Sequence, residues 1–232
     1  MLINLLVSLL LVHFIADFVL QTETLCVQKK EKKCASWFMY VHALIVAGTS
    51  LIAFWNIKFW CFALIIGASH LLIDLAKAAL TKEDNIWTFA IDQILHIAIL
   101  IIVTYASVKF FDWTSPRWFT VSVLKVEAIA LAAILCWKPA NIFVKNILVY
   151  NNVKLPDEKM DAFHAGKLIG TLERWLILAF IILGKYEVIG FLIAAKSIIR
   201  FGNKSETEYF LVGTLLSIAI AVLVGLLVCM IA

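Results

Sequence analysis

Long apolar runs, each ended by charged or turn-forming residues, dominate the chain from one end to the other. About 20 apolar residues cross the hydrocarbon core of a bilayer as an α-helix, so each run predicts a membrane span. The predicted spans lie near residues 2–20, 37–56, 59–80, 86–107, 118–137, 167–184, 187–202 and 209–231. The pattern predicts an all-α fold, a polytopic transmembrane helix bundle of about eight spans, in which the short seventh span is tilted, re-entrant or half-inserted.

Composition supports a membrane protein and excludes a water-soluble globule. Hydrophobic residues make up 63% of the 232 positions and charged residues 16%, whereas soluble domains have roughly 45–50% apolar and 25% charged residues. The first apolar run lacks a basic segment before it and a small-residue cleavage site, so we expect a retained helix. The five cysteines form no CxxC pair, which argues against a disulfide framework and a zinc ribbon.

Residues 138–166 form the only long connection, which contains Pro139 and Pro156. They divide the chain into a four-helix membrane domain (1–110), a fifth span with a cytoplasmic connection (111–166) and a three-span C-terminal extension (167–232). Within the connection, Ala140–Tyr150 is apolar but brief, as expected of a helix at the membrane interface.

Lysines concentrate in alternate connections, at 21–36, after residue 80 and in 138–166. The positive-inside rule therefore places these loops in the cytoplasm and both termini outside. The formal net charge is only +4 and is dispersed over short loops, so nucleic acid is not expected as a partner.

Seven His and Asp residues lie inside the first four spans, where each costs several kcal/mol unless it is paired, ligated or hydrated. Six of them form three i, i+4 pairs, which place both side chains on one helix face. The order of Asp and His reverses in the fourth span, so all three aspartates fall in one shallow layer and their partners in a deeper one. The seven are His13, Asp17, His42, His70, Asp74, Asp92 and His96.

Imidazole and carboxylate groups are the ligands of zinc and of non-haem divalent metals. The set exceeds one tetrahedral site, so it suits either two ions or one ion with surrounding residues and a general base. Two other interpretations stay open: hydrogen bonds that hold the helices together, and a pathway for protons or ions.

The C-terminal half has its own polar set, in which basic residues accompany Glu173 and Glu187. A Glu–Lys or Glu–Arg pair there could be structural. The functional interpretation is a site for the phosphate or carboxylate group of a substrate, formed by Lys167, Arg174, Lys196 and Arg200. The chain has no glycine-rich phosphate loop, no Ser-His-Asp order and no HExxH motif, which argues against nucleotide hydrolysis and zincin-type proteolysis.

Four segments, HFIADFVLQT, VHALI, SHLLIDLAK and IDQILH, resemble a bacterial membrane family catalogued as domain of unknown function 3307. They cover about the first 110 residues and contain the whole His/Asp set. The resemblance implies a multi-pass protein of the bacterial inner membrane. The His/Asp pattern is also similar to that of membrane-bound metal-dependent hydrolases, which supports the metal interpretation of the seven residues and implies no substrate.

The leading hypothesis is a metal-dependent hydrolase acting on a phosphoester or lipid-linked substrate at the cytoplasmic leaflet. One or two divalent ions, with zinc the best suited, would activate water, and whichever of Asp17, Asp74 and Asp92 is not a ligand would serve as base. A proton- or metal-conducting transporter is the first alternative. The second is a non-enzymatic subunit whose basic loop 28–33 docks a soluble partner. Membrane lipid is the expected partner, and a homo-oligomer is compatible with the sequence.

Overall fold

The computed structural model describes residues 1–81, 85–111, 121–153, 161–200 and 207–231, and every long regular element in these ranges is a helix. The predicted all-α fold is therefore confirmed. The helices are α1 (Leu2–Phe14), which continues as a π-helical segment (Ile15–Leu20), then α2 (Glu23–Lys32), α3 (Trp37–Phe54), α4 (Trp60–Leu80), α5 (Ile86–Phe110), α6 (Val121–Leu135), α7 (Lys138–Tyr150), α8 (Asp161–Ile182), α9 (Tyr186–Arg200) and α10 (Thr207–Ile231).

Five helical segments among the described residues are long and apolar enough to cross a membrane: Leu2–Leu20, Trp37–Phe54, Ile57–Leu80, Ile86–Phe110 and Leu211–Ile231. The other three predicted spans correspond to α6, α8 and α9. The helices α6 and α9 have 15 described residues each, and the middle of α8 carries Lys167, Glu173 and Arg174. A total of eight spans therefore stays a prediction.

The connection 21–36, predicted to be a loop, is mostly helical, so that prediction was wrong. Its residues Glu23–Lys32 form α2, and Lys33–Ala35 add a short 3-10 turn. The segment ETLCVQKKEK contains no glycine or proline and is rich in Glu, Gln, Lys and Leu, which favour helices. Lys82, Pro156 and the connection 154–160 lie outside the described residues.

The chain divides into two compact units, an N-terminal unit (Met1–Leu131) and a C-terminal unit (Ala132–Ala232). In the N-terminal unit, α1 and α4 each pack against both α3 and α5, which gives a ring of four helices. One half of this ring is filled by apolar side chains: Leu5, Leu9, Ala16, Val46, Ala53, Phe54, Phe59, Ala63, Ile66, Leu100 and Val103. Burial of this set fixes the faces that the four helices turn inward. The division into residues 1–110, 111–166 and 167–232 stays a prediction.

Gly67 sets the distance between α3 and α4, the most extensively packed pair in the ring. A Cβ atom at this position would lie 2.8 Å from Ala47 Cβ and 2.9 Å from the Ala43 carbonyl oxygen. Small residues let helix backbones approach closely in membranes. Because Gly67 lies one turn before His70, this contact also brings His70 towards α3.

In the C-terminal unit, α10 packs along α8 and α7, and α9 packs against α8. Its buried apolar core consists of Ile177, Ile181, Ile189 and Ala221. The stretch Ala140–Tyr150, predicted as a separate helix, lies in α7, whose Leu148 is buried. These packed faces surround a second polar cluster, centred on Arg174.

Candidate metal centre

Four histidines meet inside the ring of the N-terminal unit, one from each of its helices. His13 lies on α1, His42 on α3, His70 on α4 and His96 on α5, and all four are at most 4% exposed. The His70 ring centroid lies 4.1 Å from that of His96, 4.9 Å from that of His42 and 5.5 Å from that of His13. The histidines therefore form one contiguous group, as their common predicted depth implies.

The aspartates adjoin this group. Asp17 Oδ1 lies 3.2 Å from His42 Nε2 and 3.6 Å from His70 Nε2, and its Oδ2 lies 3.7 Å from His13 Nε2. Asp74 Oδ2 lies 3.8 Å from His70 Nε2, and Asp92 Oδ1 lies 3.9 Å from His96 Nδ1. All seven sequence-predicted residues are thus brought together.

The π-helical segment that carries Asp17 was not predicted. A π-helical turn contains more residues than an α-helical one, so it changes the direction of the following side chains, and such turns are frequent at functional sites. Here the segment begins directly after His13 and Phe14. Asp17 on this segment lies close to three histidines, whereas its i, i+4 spacing alone predicts a contact with His13 only.

His96 has a defined tautomer. Its Nδ1 lies 2.8 Å from the main-chain oxygen of Asp92, and because a carbonyl oxygen only accepts, Nδ1–H must be the donor. The lone pair of a neutral His96 ring is therefore on Nε2, which is buried and without a hydrogen-bond partner. A histidine held by one ring nitrogen and open at the other is the usual arrangement of a metal ligand.

Other buried side-chain atoms at the site also lack hydrogen-bond partners: His13 Nε2, His42 Nδ1, His70 Nε2 and Asp92 Oδ1. Buried polar atoms are nearly always hydrogen-bonded in native proteins, because an unpaired one costs roughly 1–3 kcal/mol. Five such atoms, from α1, α3, α4 and α5, lie in this one cluster.

Sets of these donor atoms are close enough for a shared ion. The sets are His13, Asp17 and His70; His42, His70 and Asp74; and Asp74, Asp92 and His96, with the atoms of each set within 4.8 Å of one another. Zinc bonds of about 2.0–2.2 Å hold two ligand atoms at most about 4 Å apart. Coordination would therefore require the atoms of a set to move closer together than they lie here.

Sequence reasoning missed two lysines at the site. Lys29 Nζ on α2 lies 2.6 Å from Asp74 Oδ2, and Lys77 Nζ on α4 lies 3.1 Å from Asp92 Oδ2. In the sequence, Lys29 is one of the loop lysines that indicate topology. Lys77 has a clearer signal, because it lies three residues after Asp74 on a predicted span. With neutral imidazoles, three carboxylates and two ammonium groups leave the site one net negative charge.

The deeper side of the site is closed by apolar residues. A small cavity bordered by His13, His70 and His96 is also lined by Ser69, Ile66, Ile99 and Leu100. Ile66 and Leu100 belong to the apolar core that fills the rest of the ring. The polar groups therefore occupy one end of the bundle.

The predicted anion-binding residues belong to the C-terminal unit. Arg174 is 2% exposed and donates to the Cys136 main-chain oxygen, Ser217 Oγ, Asn141 Oδ1 and Thr171 Oγ1. These bonds use four of its five N–H groups, so binding an anion would require breaking some of them. Lys196 pairs with Glu173 across α8 and α9. Lys167 is partly buried, and the Arg200 side chain lies outside the described residues.

A further carboxylate, Glu127 on α6, also escaped the sequence analysis. Ser8 Oγ on α1 donates to its Oε2 at 2.7 Å, beside the apolar contacts of Val7, Leu124 and Ala128. The signal was available, because Glu127 is an ionisable residue in the middle of the predicted fifth span. This contact joins α6 to the outer face of α1.

Comparison with known proteins identifies a family and no further relative. The family described as "Protein of unknown function (DUF3307)" matches residues 5–124, which contain most of α1, all of α2 to α5 and every His and Asp of the site. No curated protein and no solved structure matches the chain. Because the match covers more than half of the sequence, the chain belongs to the DUF3307 family.

Proposed function

We propose that this protein is an integral membrane, metal-dependent hydrolase that cleaves a phosphoester or another lipid-linked bond. In this proposal, the His/Asp cluster of the N-terminal unit lies in the cytoplasmic leaflet of a bacterial inner membrane, with both termini outside. Because the polar end of the bundle is shallow in the predicted topology, it suits a substrate whose head group lies at the interface.

The observation that carries the proposal is the group of five buried, unpartnered donor atoms contributed by α1, α3, α4 and α5. Polar residues whose role is only to hold helices together would satisfy each other by hydrogen bonds. The unpaired atoms therefore support a bound ion over the purely structural alternative. Their mixed nitrogen and oxygen chemistry suits zinc.

Charge favours one ion over two. One divalent cation changes the net charge of the cluster from one negative to one positive, whereas two would leave three positive charges in a low-dielectric environment. Isolated buried charge is strongly unfavourable. We therefore assign a single ion to the cluster, held by one of its sets of histidine nitrogens and carboxylate oxygens.

A divalent ion supplies Lewis-acid activation of water or of a substrate oxygen. The chain supplies the rest. His96 and His70 offer ring nitrogens, and a carboxylate that is not a ligand accepts the proton of the attacking water. Asp17 is suited to this role because its Oδ1 is within hydrogen-bond distance of His42 Nε2, at 3.2 Å, and it adjoins His13 and His70. The apolar core behind the histidines restricts water to the shallow side.

The contiguous histidine rings support transport of protons or metal ions as a second candidate. Such a pathway needs polar groups on both sides of the cluster. Among the described residues, the rest of the ring buries the apolar core and the hydroxyl groups of Ser8, Ser50, Thr104 and Ser107, but no further histidine or carboxylate, which favours a one-sided site and hence hydrolysis.

Metal analysis of the full chain, purified without chelators, tests the proposal. We expect stoichiometric zinc, manganese or iron in the wild type, loss of the ion in His70→Ala and Asp92→Asn, and retention in Glu173→Gln. A wild-type protein that neither contains nor takes up an ion would overturn the metal site. An ion with flux in proteoliposomes and no cleavage of lipid-linked phosphoesters would favour transport instead.

A further inference from the structure

We infer that Lys29 and Lys77 are exchangeable counter-ions, which neutralise Asp74 and Asp92 in the ion-free site and bind a phosphate-type anion once a divalent cation is present. The inference deepens the proposed function and rests on its metal site. It assigns the anion-binding role to two residues of the N-terminal unit instead of the basic residues of the C-terminal unit.

Lys29 is placed at the site by α2. Its Nζ contacts Asp74 Oδ2 at 2.6 Å and Gln21 Oε1 at 3.3 Å, and lies 5.7 Å from the centre of the Phe38 ring. The side chain is only 12% exposed. An ammonium group held by a carboxylate, an amide and an aromatic face is ordered, so its position is a built feature of the site rather than a surface charge.

Lys77 occupies the equivalent place on the α4–α5 side. Its Nζ lies 3.1 Å from Asp92 Oδ2, which also accepts a hydrogen bond from Gln93 Nε2. The other oxygen of Asp92, Oδ1, is buried and unpartnered. Lys77 thus holds the carboxylate while leaving one of its oxygens open towards the cluster.

The two ammonium groups flank one donor set. Lys29 binds Asp74 and Lys77 binds Asp92, and these two aspartates, together with His96, offer donor atoms within 4.8 Å of one another. A divalent cation bound to these carboxylates would repel both ammonium groups and weaken their ion pairs. Each amine would then have N–H donors available for a new acceptor at the mouth of the site.

Charge identifies that acceptor as an anion. With one divalent ion, the cluster carries a net positive charge, and a phosphate group brings it back towards neutrality. Lysine is a common phosphate ligand, and its hydrogen bonds to phosphate are charge-assisted. The ligand class is therefore a phosphate group, whose source is either a lipid head group or free phosphate.

When either lysine is neutralised, we expect the affinity for zinc and the affinity for phosphate to change in opposite directions. In Lys29→Gln or Lys77→Gln, a competing cation is lost from a carboxylate, so we expect zinc to bind about tenfold more tightly, because a positive charge no longer repels the incoming ion. Phosphate should bind the zinc-loaded protein about tenfold more weakly, because a charged hydrogen bond is lost. A purely structural lysine would not produce this pair of opposite shifts.

The experiment uses the full chain in detergent. Zinc affinity is measured by calorimetry, the protein is then loaded with zinc and freed of excess ion by gel filtration, and inorganic phosphate is titrated into the loaded and zinc-free forms. Lys32→Gln is the matched control, since Lys32 is an exposed residue of the same helix α2. Lys29→Arg tests rescue by retained charge, and circular dichroism verifies that each variant is folded.

Phosphate binding to the zinc-loaded wild type only, with opposite shifts in both Gln variants, none in Lys32→Gln and rescue in Lys29→Arg, is the expected result. Equal phosphate affinity in wild type and Gln variants, or phosphate binding without zinc, would overturn the inference while the metal site stands. Absence of zinc binding in the wild type would instead overturn the proposed function. Nanodiscs with and without phosphatidic acid distinguish the sources, because a lipid head group would compete with inorganic phosphate only in the first.

Discussion

The two units of this protein contain two buried polar clusters of opposite character. Around Arg174, the guanidinium group donates four hydrogen bonds, all to acceptors of the protein itself. Around His70, four helices contribute ring nitrogens and a carboxylate oxygen that have no partner. Both clusters are equally hidden from solvent, so burial alone does not separate them.

The difference lies in what completes each cluster. A cluster whose polar atoms are all hydrogen-bonded within the protein stabilises the fold. A cluster with several unpaired nitrogen and oxygen atoms is costly until a ligand binds. From residue type alone, Arg174 would be the stronger candidate for a ligand-binding group, because it carries a permanent charge and His70 does not. Hydrogen-bond satisfaction therefore separates the two clusters, whereas burial does not.

Arg174 should carry the largest effect on stability. In Arg174→Met, the Cys136 carbonyl oxygen, Asn141 Oδ1 and Ser217 Oγ lose their donor, and we expect a loss of about 3 kcal/mol in the free energy of unfolding. Denaturation in detergent, followed by circular dichroism, measures it. Arg174→Lys, which keeps the charge but fewer bonds, should lose less. Unfolding at the wild-type midpoint in Arg174→Met would show that the satisfied cluster is not structural.

His70→Leu should produce the converse result. Leucine has a similar volume and removes an unpaired buried nitrogen, so the ion-free protein should keep or slightly increase its stability. Zinc affinity should fall about 100-fold, because ligand sets lose at least this much when a central member is removed. Calorimetric titration and denaturation of the same sample measure both quantities. A large loss of stability without a change in zinc affinity would make the two clusters alike.

Gly67→Ala tests whether the close approach of α3 and α4 positions the histidines. The new methyl group would meet Ala47 Cβ and the Ala43 carbonyl oxygen, and overpacking of this kind typically costs about 1–3 kcal/mol. Zinc affinity should fall with stability, since His42 and His70 separate. Gly48→Ala is the control, because a Cβ there meets no atom within 4 Å. If Gly67→Ala and Gly48→Ala have the same stability and zinc affinity, the close approach at Gly67 does not position the histidines.

The cluster itself could be predicted from the sequence because its signal is local. Three i, i+4 pairs and the reversal of Asp and His along the fourth span place the residues at one depth, and the ring of α1, α3, α4 and α5 brings them into contact. The helical fold followed from the length of the apolar runs. These inferences depend on helix periodicity and span length, which each segment carries on its own.

The remaining features depend on tertiary contacts. The pairing of Lys29 with Asp74 joins α2 to α4 over 45 positions, and no spacing within one helix encodes it. The π-helical turn at Asp17 and the donors around Arg174 likewise depend on what neighbouring helices offer. The sequence marks Arg174 as a basic residue in an apolar segment, but only the structure identifies its partners and thereby separates packing from ligand binding.

The ion pair between Glu173 and Lys196 should contribute least. Their side chains are 17% and 20% exposed, and pairs with access to water are worth about 1 kcal/mol or less. We expect Glu173→Gln and Lys196→Gln each to lower stability by less than about 1 kcal/mol, with the double variant no worse than the sum, and zinc affinity unchanged in all three. A double-mutant cycle in detergent measures the coupling. A coupling as large as the Arg174 effect would mean that this pair is desolvated, and the satisfied cluster of the C-terminal unit would then extend from α7 through α8 to α9.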